Sequence, residues 1–239
     1  MGKKRLRVEA ILTAAASPAP PPVADLVPEP LLMDLVPDDL PRLLALVPGA
    51  DVYLQDEVEV ALHPTLTRVW SRRGRRGQRR VEAPGTNQKR HGFGLVDWRD
   101  GWLDWELAEG RRAAPFCAQL RRALARSAAR GRVALVLLDN LSIHTPRGST
   151  AVRALLAEAG DRLVLVYTPR YDPEANRIEW RWRALRRAVT HTHQREGLPE
   201  LLAAAEAWAH GLAPTAVLRA IGSPFAGPPT SAPALDHAA

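Results

Sequence analysis

Three acidic residues stand where carboxylates can carry out metal-dependent chemistry: Asp56, Asp139 and Glu179. Asp56 follows a predicted strand over 52–55, and Asp139 follows the apolar run 133–138, which is typical of a buried central strand. Glu179 lies in the first turns of a predicted helix, shortly after a third apolar run. Ligands gather at the carboxyl ends of parallel strands, so these acids are predicted to meet at one edge of a sheet.

A cluster of three carboxylates predicts bound cations, because like charges repel and their desolvation is costly unless cations neutralise them. Oxygen ligands without cysteine select hard ions, so the predicted cofactor is Mg²⁺ or Mn²⁺. Two such ions about 4 Å apart can activate a water or a 3′-hydroxyl and stabilise the departing oxygen of an in-line phosphoryl transfer. The predicted chemistry is therefore two-ion phosphoryl transfer.

Each acid also has a purely structural explanation. Asp56 and Glu57 could be ordinary turn residues at a strand end, and Glu179 is favoured near a helix N-terminus by the helix dipole. Glu174 is a rival to Glu179, although it precedes the helix in the turn. Successive strand residues point in opposite directions, so only one of Asp56 and Glu57 is expected to face the metals. Glu57 would then support the site from behind.

The order of predicted elements is strand, hairpin, helix, strand, helix, strand, helix, which indicates an α/β fold with a mixed sheet flanked by helices. The hairpin spans 91–107 around an Asp-Gly turn. Its tryptophans are predicted to pack and its aspartates to lie at the surface or in the turn: Trp98, Trp102, Trp105, Asp97, Asp100 and Asp104.

Helices are predicted over 115–130, 149–159 and 198–210, in addition to the one that carries Glu179, and a shorter apolar segment follows over 215–221. That helix begins at Asp172-Pro173 or, in competition, at Asn176. It presents one apolar stripe with the spacing of a helix face, formed by Ile178, Trp182, Leu185 and Val189.

The charge of the chain predicts a polyanionic partner. Its formal net charge is +7, and every basic residue except three lysines is an arginine, which binds phosphate with two parallel hydrogen bonds. The alternative is codon bias of a GC-rich genome together with an ordinary solvated basic loop. The arginines expected to contact DNA are Arg72, Arg73, Arg75, Arg76, Arg79, Arg80, Arg183, Arg186 and Arg187.

Several other classes of protein are disfavoured. Cys117 is the only cysteine, which excludes a disulfide framework and a cysteine-rich zinc site and favours an intracellular location. No apolar run approaches the roughly 20 residues of a membrane span. The basic amino terminus is followed by no apolar segment of a secretory signal.

Three segments resemble the catalytic domain of IS630/Tc1/mariner-type DDE transposases: LQDE at 54–57, LLDN at 137–140 followed by His144, and PRYDPEANRIEW at 169–180. The similarity extends over about 52–195. It implies a ribonuclease-H-like fold with Asp56, Asp139 and Glu179 as the metal-binding triad. Asn140 and His144 are similar to the residues that follow the family's second Asp. His144 is explained either as a turn histidine or as a residue that orients DNA or the metal site.

The resemblance implies Mg²⁺-dependent cleavage and transfer of DNA strands. The alternatives are an inactive DNA-binding remnant and a ribonuclease-H-like nuclease without strand transfer. The implied partner is double-stranded DNA, as transposon ends and target, bound by a homodimer in the cytoplasm at the bacterial nucleoid. Family members ordinarily carry helix-turn-helix modules ahead of this domain, so a separate helix-turn-helix chain is a further expected partner.

Composition and the resemblance together predict four regions along the chain. Residues 1–50 are proline- and alanine-rich, as expected for an arm or remnant linker. The resemblance implies that 51–196 form the catalytic domain. Residues 197–221 are predicted to form a C-terminal helical extension, and 222–239 a disordered tail.

Overall fold

The computed structural model describes residues 49–68, 70, 73–74, 80–82, 84–168 and 175–227. In this part of the chain, five strands form one sheet in the order β3-β2-β1-β4-β5. The pairs β1–β2 and β2–β3 are antiparallel, whereas β1–β4 and β4–β5 are parallel, so the predicted mixed sheet is confirmed. The strands are β1 Ala50–Ala61, β2 Lys89–Asp97, β3 Leu103–Ala108, β4 Val133–Leu138 and β5 Leu163–Tyr167.

Within the described residues, five α-helices accompany the sheet: α1 Ala113–Ala129, α2 Thr150–Ala159, α3 Ile178–Leu185, α4 Leu198–His210 and α5 Pro214–Ala220. A π-helical turn, Arg186–Thr190, continues α3, and short 3₁₀ turns occur at Ser142–His144, Gly160–Arg162 and Pro224–Ala226. Among the described residues no single helix is long and apolar enough to cross a membrane. Only α4 and α5 taken together reach that length, and they meet at 98°.

The alternation of β1 side chains between the two faces of the sheet creates two cores. Val52 and Leu54 point to one face, where α3 and α4 pack around the buried Trp182. Tyr53 points to the other face, where α1 and α2 pack around Phe116. The helices therefore approach the site from opposite sides of the sheet.

The first strand is longer than predicted, and its predicted end at 52–55 is wrong. Parallel pairing with β4 stops at Leu54, opposite Leu137, but β2 pairs with β1 as far as Ala61. Asp56 and Glu57 thus lie inside a strand that has one hydrogen-bonded neighbour beyond Leu54. Hydrogen bonds from β2, the first strand of the β2–β3 hairpin, keep this acidic stretch extended. The paired residues of β1 and β2 are far apart in the sequence.

Asp97 was predicted at the surface or in the turn. It begins the turn, where its carbonyl accepts from the Gly101 N–H over 3.0 Å, but a surface position is wrong because its side chain is completely buried. Its Oδ2 lies 3.0 Å from an Arg130 guanidinium nitrogen, and Arg130 also reaches 3.3 Å from the buried Asp51. Arg130 comes from the end of α1, far from both acids in sequence. The ion pair and the 2.9 Å hydrogen bond from the Arg99 N–H offset part of the cost of burying the Asp97 carboxylate, but burial still raises the pKa of Asp97.

The C-terminal helices pack into the same core as the sheet rather than beyond it. Leu201 and Ile221 are fully buried there. The region predicted to be disordered starts at Gly222, yet Ser223 is buried and its hydroxyl donates to the Trp98 carbonyl over 2.6 Å. Residues 1–48 and 228–239, with most of the predicted arm and tail, lie outside the described residues.

Candidate active site

The sheet register places Asp56 and Asp139 side by side. Leu54 of β1 is opposite Leu137 of the parallel strand β4, and each aspartate stands two residues further along its own segment. Because side chains alternate, the two aspartates fall on the face to which Leu54 and Leu137 point. The predicted meeting of these two acids at one edge follows directly from that parallel register.

Glu179 reaches the same place from α3, which covers that face. The predicted apolar stripe is buried in the core, and Glu179 lies in the first turn of the helix beside it. Asn176 Nδ2 donates to the Gln55 carbonyl over 2.8 Å, which fixes the start of α3 against β1. One turn further on, Trp182 Nε1 donates to Asp56 Oδ2 over 3.0 Å and holds that carboxylate.

The three acids line one cavity of about 370 Å³. Five carboxylates and two guanidiniums face it, which leaves a formal charge of −3. The complete lining consists of Asp56, Glu57, Glu59, Ala61, Thr65, Arg111, Asp139, Glu179, Arg186 and Thr190. The structure therefore brings the predicted triad together in a strongly acidic cavity.

Asp56 shows the electrostatic cost of this arrangement. Burial raises the pKa of Asp56 well above its ordinary value, and the negative charges of Glu179, Glu57 and Asp139 raise it further. A cation in the cavity would oppose these effects, because it favours the ionised form of every carboxylate that faces it. The ionised form of Asp56 is therefore least favourable when no cation is bound in the cavity.

His144 bridges two of the acids from behind the cavity. Its Nδ1 lies 2.6 Å from Asp139 Oδ1 and its Nε2 lies 2.7 Å from Glu57 Oε1. Burial by itself would lower the pKa of His144, but the hydrogen bonds and charges of Asp139 and Glu57 outweigh it and raise the pKa to about 9. Both ring nitrogens then donate, which leaves the second oxygen of Asp139 free for the cavity.

Glu57 follows Asp56 in β1 and therefore points to the opposite face of the strand. It contacts His144, which also contacts Asp139, and it lines the same cavity as Asp56. The cavity lies beyond the end of the β1–β4 ladder, where β1 has no parallel neighbour. Whether Asp56 or Glu57 faces the metals stays a prediction.

Asn140 acts on the strands rather than on the cavity. Its Nδ2 donates to the Thr168 carbonyl and so ties the end of β4 to the end of β5. Tyr167 Oη donates to the His144 carbonyl over 2.8 Å, which anchors the turn that carries the histidine. The hydrogen bonds described for Asn140 thus stabilise the loop that positions Asp139 and His144.

The predicted DNA-binding arginines differ in their position relative to the cavity. Arg186 lines the cavity, and its guanidinium lies 3.8 Å from Glu179. Arg183 and Arg187, on the same helical segment, are exposed, as are Arg73 and Arg80 in the β1–β2 connection. Four other predicted arginines lie outside the described part of the chain: Arg72, Arg75, Arg76 and Arg79. The rival acid Glu174 also lies outside it.

Sequence reasoning missed four polar residues of the cavity, namely Glu59, Thr65, Arg111 and Thr190. Thr190 belongs to the π-helical turn, a distortion that is frequent at functional sites but has no clear sequence signature. Thr65 reaches the cavity because the chain after β1 forms a parallel bridge to His191. Only the alternation of Glu57 and Glu59 along β1 offered a local signal.

The donor set suits a hard divalent cation, since carboxylate oxygens and no thiolates surround the cavity. In their present positions, no three acidic, histidine or cysteine side chains of the described residues are spaced to hold a metal ion. Asp139 and Glu179 remain partly exposed, with 48% and 24% of their side-chain surface accessible. These carboxylates could therefore adjust around a cation, whereas Asp56 is fixed by Trp182.

Replacing Gly94 by alanine should loosen the site by displacing Trp182. Gly94 pairs with Asp56 across β1 and β2, and a Cβ there would overlap the Trp182 ring. We expect the free energy of unfolding to fall by about 1–3 kcal/mol, as for other overpacked cores. Urea denaturation measures this change. Gly49→Ala is the matched control because nothing lies within 4 Å of its Cβ, and equal stability of the two variants would contradict the expectation.

Comparisons with known proteins identify the family of this domain. The sequence profile described as DDE superfamily endonuclease matches residues 51–201. A 39 kDa protein of insertion element IS630 from Shigella sonnei is 30% identical over 151 residues, which are 63% of this chain. Those residues are 42% of that relative, so the chain spans about two fifths of its length.

Solved structures show the same fold. A Mos1 transposase paired-end complex with the left transposon end superimposes with a TM-score of 0.58, covering 91% of this chain and 58% of the other at 16% identity. A Mos1 mariner paired-end complex with Mg gives a TM-score of 0.56, covering 72% of this chain and 51% of the other at 17% identity. The predicted ribonuclease-H-like fold is thereby confirmed.

Proposed function

The chain belongs to the DDE superfamily endonucleases, among the IS630/Tc1/mariner-type transposases, and from that membership we propose that it cleaves and transfers DNA strands with Asp56, Asp139 and Glu179 as its triad. The observation that carries the proposal is the cavity in which two parallel strand segments and α3 place these acids together. Its formal charge of −3 favours the entry of cations.

We propose that Asp56, Asp139 and Glu179 hold two divalent ions, either Mg²⁺ or Mn²⁺. Bound there, the ions supply a nucleophilic oxygen and stabilise the charge that develops on the phosphate and the leaving oxygen. Mos1 complexes with Mg and with Mn are among the solved structures of similar fold. The carboxylate oxygens that line the cavity favour the same ions.

The surrounding residues would keep the triad in place. Trp182 fixes one oxygen of Asp56, and His144 fixes one oxygen of Asp139. His144 is itself held by Glu57 and by the aromatic ring of Phe116, whose centroid lies 4.3 Å from its own. Such supporting hydrogen bonds orient ligands and limit how far they must reorganise when a cation enters.

The exposed arginines would hold the DNA backbone. Arg183 and Arg187 lie on the helical segment that carries Glu179, and Arg73 and Arg80 lie on the connection that follows β1. Contacts of this kind position a duplex through its phosphates without reading its sequence. We propose double-stranded DNA, as transposon ends and target, for this surface.

We also propose, as the family membership suggests, that the chain acts as a homodimer on DNA, in the cytoplasm at the bacterial nucleoid. The solved structures of similar fold include paired-end complexes of Mos1. A separate chain with helix-turn-helix modules would supply recognition of the transposon ends. Gel filtration of the purified chain with and without duplex DNA tests the dimer directly.

Cleavage of an end-labelled duplex that carries the flanking inverted repeats tests the proposed activity. The purified chain should cut this duplex in Mg²⁺ or Mn²⁺ and not in EDTA, because the acids alone repel the phosphate. A second, unlabelled duplex reports strand transfer through joined products. Cutting without joining would indicate a nuclease without strand transfer. Binding without cutting in either metal would instead identify a DNA-binding remnant and refute the proposed activity of this chain.

A further inference from the structure

Arg111 lines the cavity but has no role in the function proposed above. It lies in the loop between β3 and α1, is exposed, and lines the acidic cavity opposite five carboxylates. The other arginine of the cavity, Arg186, lies 3.8 Å from Glu179. Arg111 makes no hydrogen bond or ion pair with the residues that the structure describes. Its guanidinium is therefore available to a ligand.

The two arginines reach the cavity from opposite faces of the sheet. Arg111 precedes α1, which packs on one core through Phe116. Arg186 follows α3, which packs on the other core through Trp182. A strand of DNA that crosses the cavity would thus meet a guanidinium on each side of the triad.

Arg111 is close enough to act electrostatically on the triad. Burial raises the pKa of Asp139, while the hydrogen bond and charge of His144, together with the charge of Arg111, lower it below its ordinary value. Five carboxylates face the same cavity, yet none of them lies within 4 Å of the Arg111 guanidinium. A residue whose role was to neutralise the acids would be expected to contact one of them.

We propose that Arg111 binds the non-bridging oxygens of a DNA phosphodiester, at or next to the scissile one, from the α1 side of the cavity. A planar guanidinium suits this ligand, because two parallel N–H groups can donate to two phosphate oxygens. The inference rests on the proposed function, and it adds a substrate-positioning residue that lies outside the triad and its supporting hydrogen bonds.

The test compares Arg111→Ala and Arg111→Lys with Arg112→Ala. Arg112 is the adjacent exposed arginine, lies outside the cavity lining, and makes no side-chain cap of α1. Each alanine variant removes one positive charge at neighbouring positions, so a general loss of attraction for DNA affects both equally. Thermal denaturation verifies that both variants remain folded.

In single-turnover cleavage, Arg111→Ala should be slower than wild type by about 10- to 100-fold, the effect of losing a charge-assisted hydrogen bond. Arg111→Lys should recover part of the rate, and Arg112→Ala should stay within about 2-fold of wild type. Mn²⁺ binding without DNA should not weaken in Arg111→Ala, because the guanidinium opposes cations. Weaker Mn²⁺ binding in this variant would indicate a structural role and overturn the inference.

Duplex binding provides a readout that needs no catalysis. The slope of log affinity against log salt should fall by about 1 for Arg111→Ala and stay unchanged for Arg112→Ala. If wild type lacks metal-dependent cleavage, the proposed function fails and these slopes alone decide the role of Arg111. If wild type cleaves but the two alanine variants behave alike, only the inference about Arg111 fails.

Discussion

Replacing Asp139 by asparagine is expected to lower metal-dependent DNA cleavage by about 10³-fold. Metal-mediated stabilisation of transition-state charge contributes several kcal/mol, and each 1.36 kcal/mol corresponds to a tenfold change in rate. The neutral amide keeps the size of the side chain, and its Oδ1 can still accept from Leu141 N–H and from His144. The variant should therefore fold and bind DNA while losing the charge that attracts the cation.

Single-turnover cleavage of a labelled duplex in Mg²⁺ and in Mn²⁺ measures this effect, with Asp56→Asn and Glu179→Gln as parallel variants. Glu158→Gln is the control, because it removes one exposed carboxylate from α2, outside the cavity lining. Cleavage by Asp139→Asn within about threefold of wild type would remove Asp139 from the triad, since an amide is a poor substitute for a carboxylate at a hard cation.

Replacing His144 by alanine is expected to destabilise the metal-free protein by about 3 kcal/mol. The side chain of Glu57 is only 3% exposed, and without His144 its described side-chain hydrogen bond is the one from Gln55 at 3.2 Å. Removing one partner of a buried ion pair leaves the other charge uncompensated, which typically costs about 3–5 kcal/mol. Urea denaturation of the wild type and the variant in EDTA measures the difference.

The same pair of proteins tests the charge of His144. Its folded pKa of about 9 lies above the ordinary value of 6.5, so the protonated ring contributes stability that is fully present below pH 6.5. This contribution, on the order of 3 kcal/mol, is lost as pH rises from about 6.5 to about 9. Asp56, with its raised pKa, also loses stabilisation as pH rises, so the difference between wild type and His144→Ala isolates the histidine.

The control for the pH series is His210→Ala, which removes an exposed histidine at the end of α4. It should preserve the wild-type fall in stability between pH 6.5 and 9, whereas His144→Ala should flatten that fall. A His144→Ala protein with an unchanged pH dependence would show that the ring is neutral in the folded state. The hydrogen bonds to the two carboxylates could then involve at most one donated proton.

Local sequence pattern alone determined most of the elements. The apolar runs at Val133–Leu138 and Leu163–Tyr167 are strands with those bounds, because continuous apolar residues are stable only when both faces of the strand are covered. The stripe from Ile178 to Val189 is buried as predicted, because its spacing matches a helix face. The mixed sheet followed from the order of these elements.

Tertiary structure decided the length of β1 and the environment of its acids. The strand extends through Asp56 and Glu57 because β2 pairs with it, and no local pattern encodes a ladder to residues more than 30 positions away. Similarly, the buried Asp97 has ion-pair partners in Arg126 and Arg130, which reach it from the end of α1. A charged residue is predicted at the surface by default, since its partner is unknown from its own segment.

In the candidate site, too, some features follow from the sequence and others only from the tertiary structure. Its three acids could be chosen from the sequence because each follows or begins a recognisable element, and their roles in metal binding remain predictions. The link from Glu57 through His144 to Asp139 joins residues up to 87 positions apart, and the entry of Arg111 into the cavity depends on where the loop before α1 lies. Sequence determines which elements form, whereas contacts between distant side chains exist only once the sheet register and the packing of the helices are set.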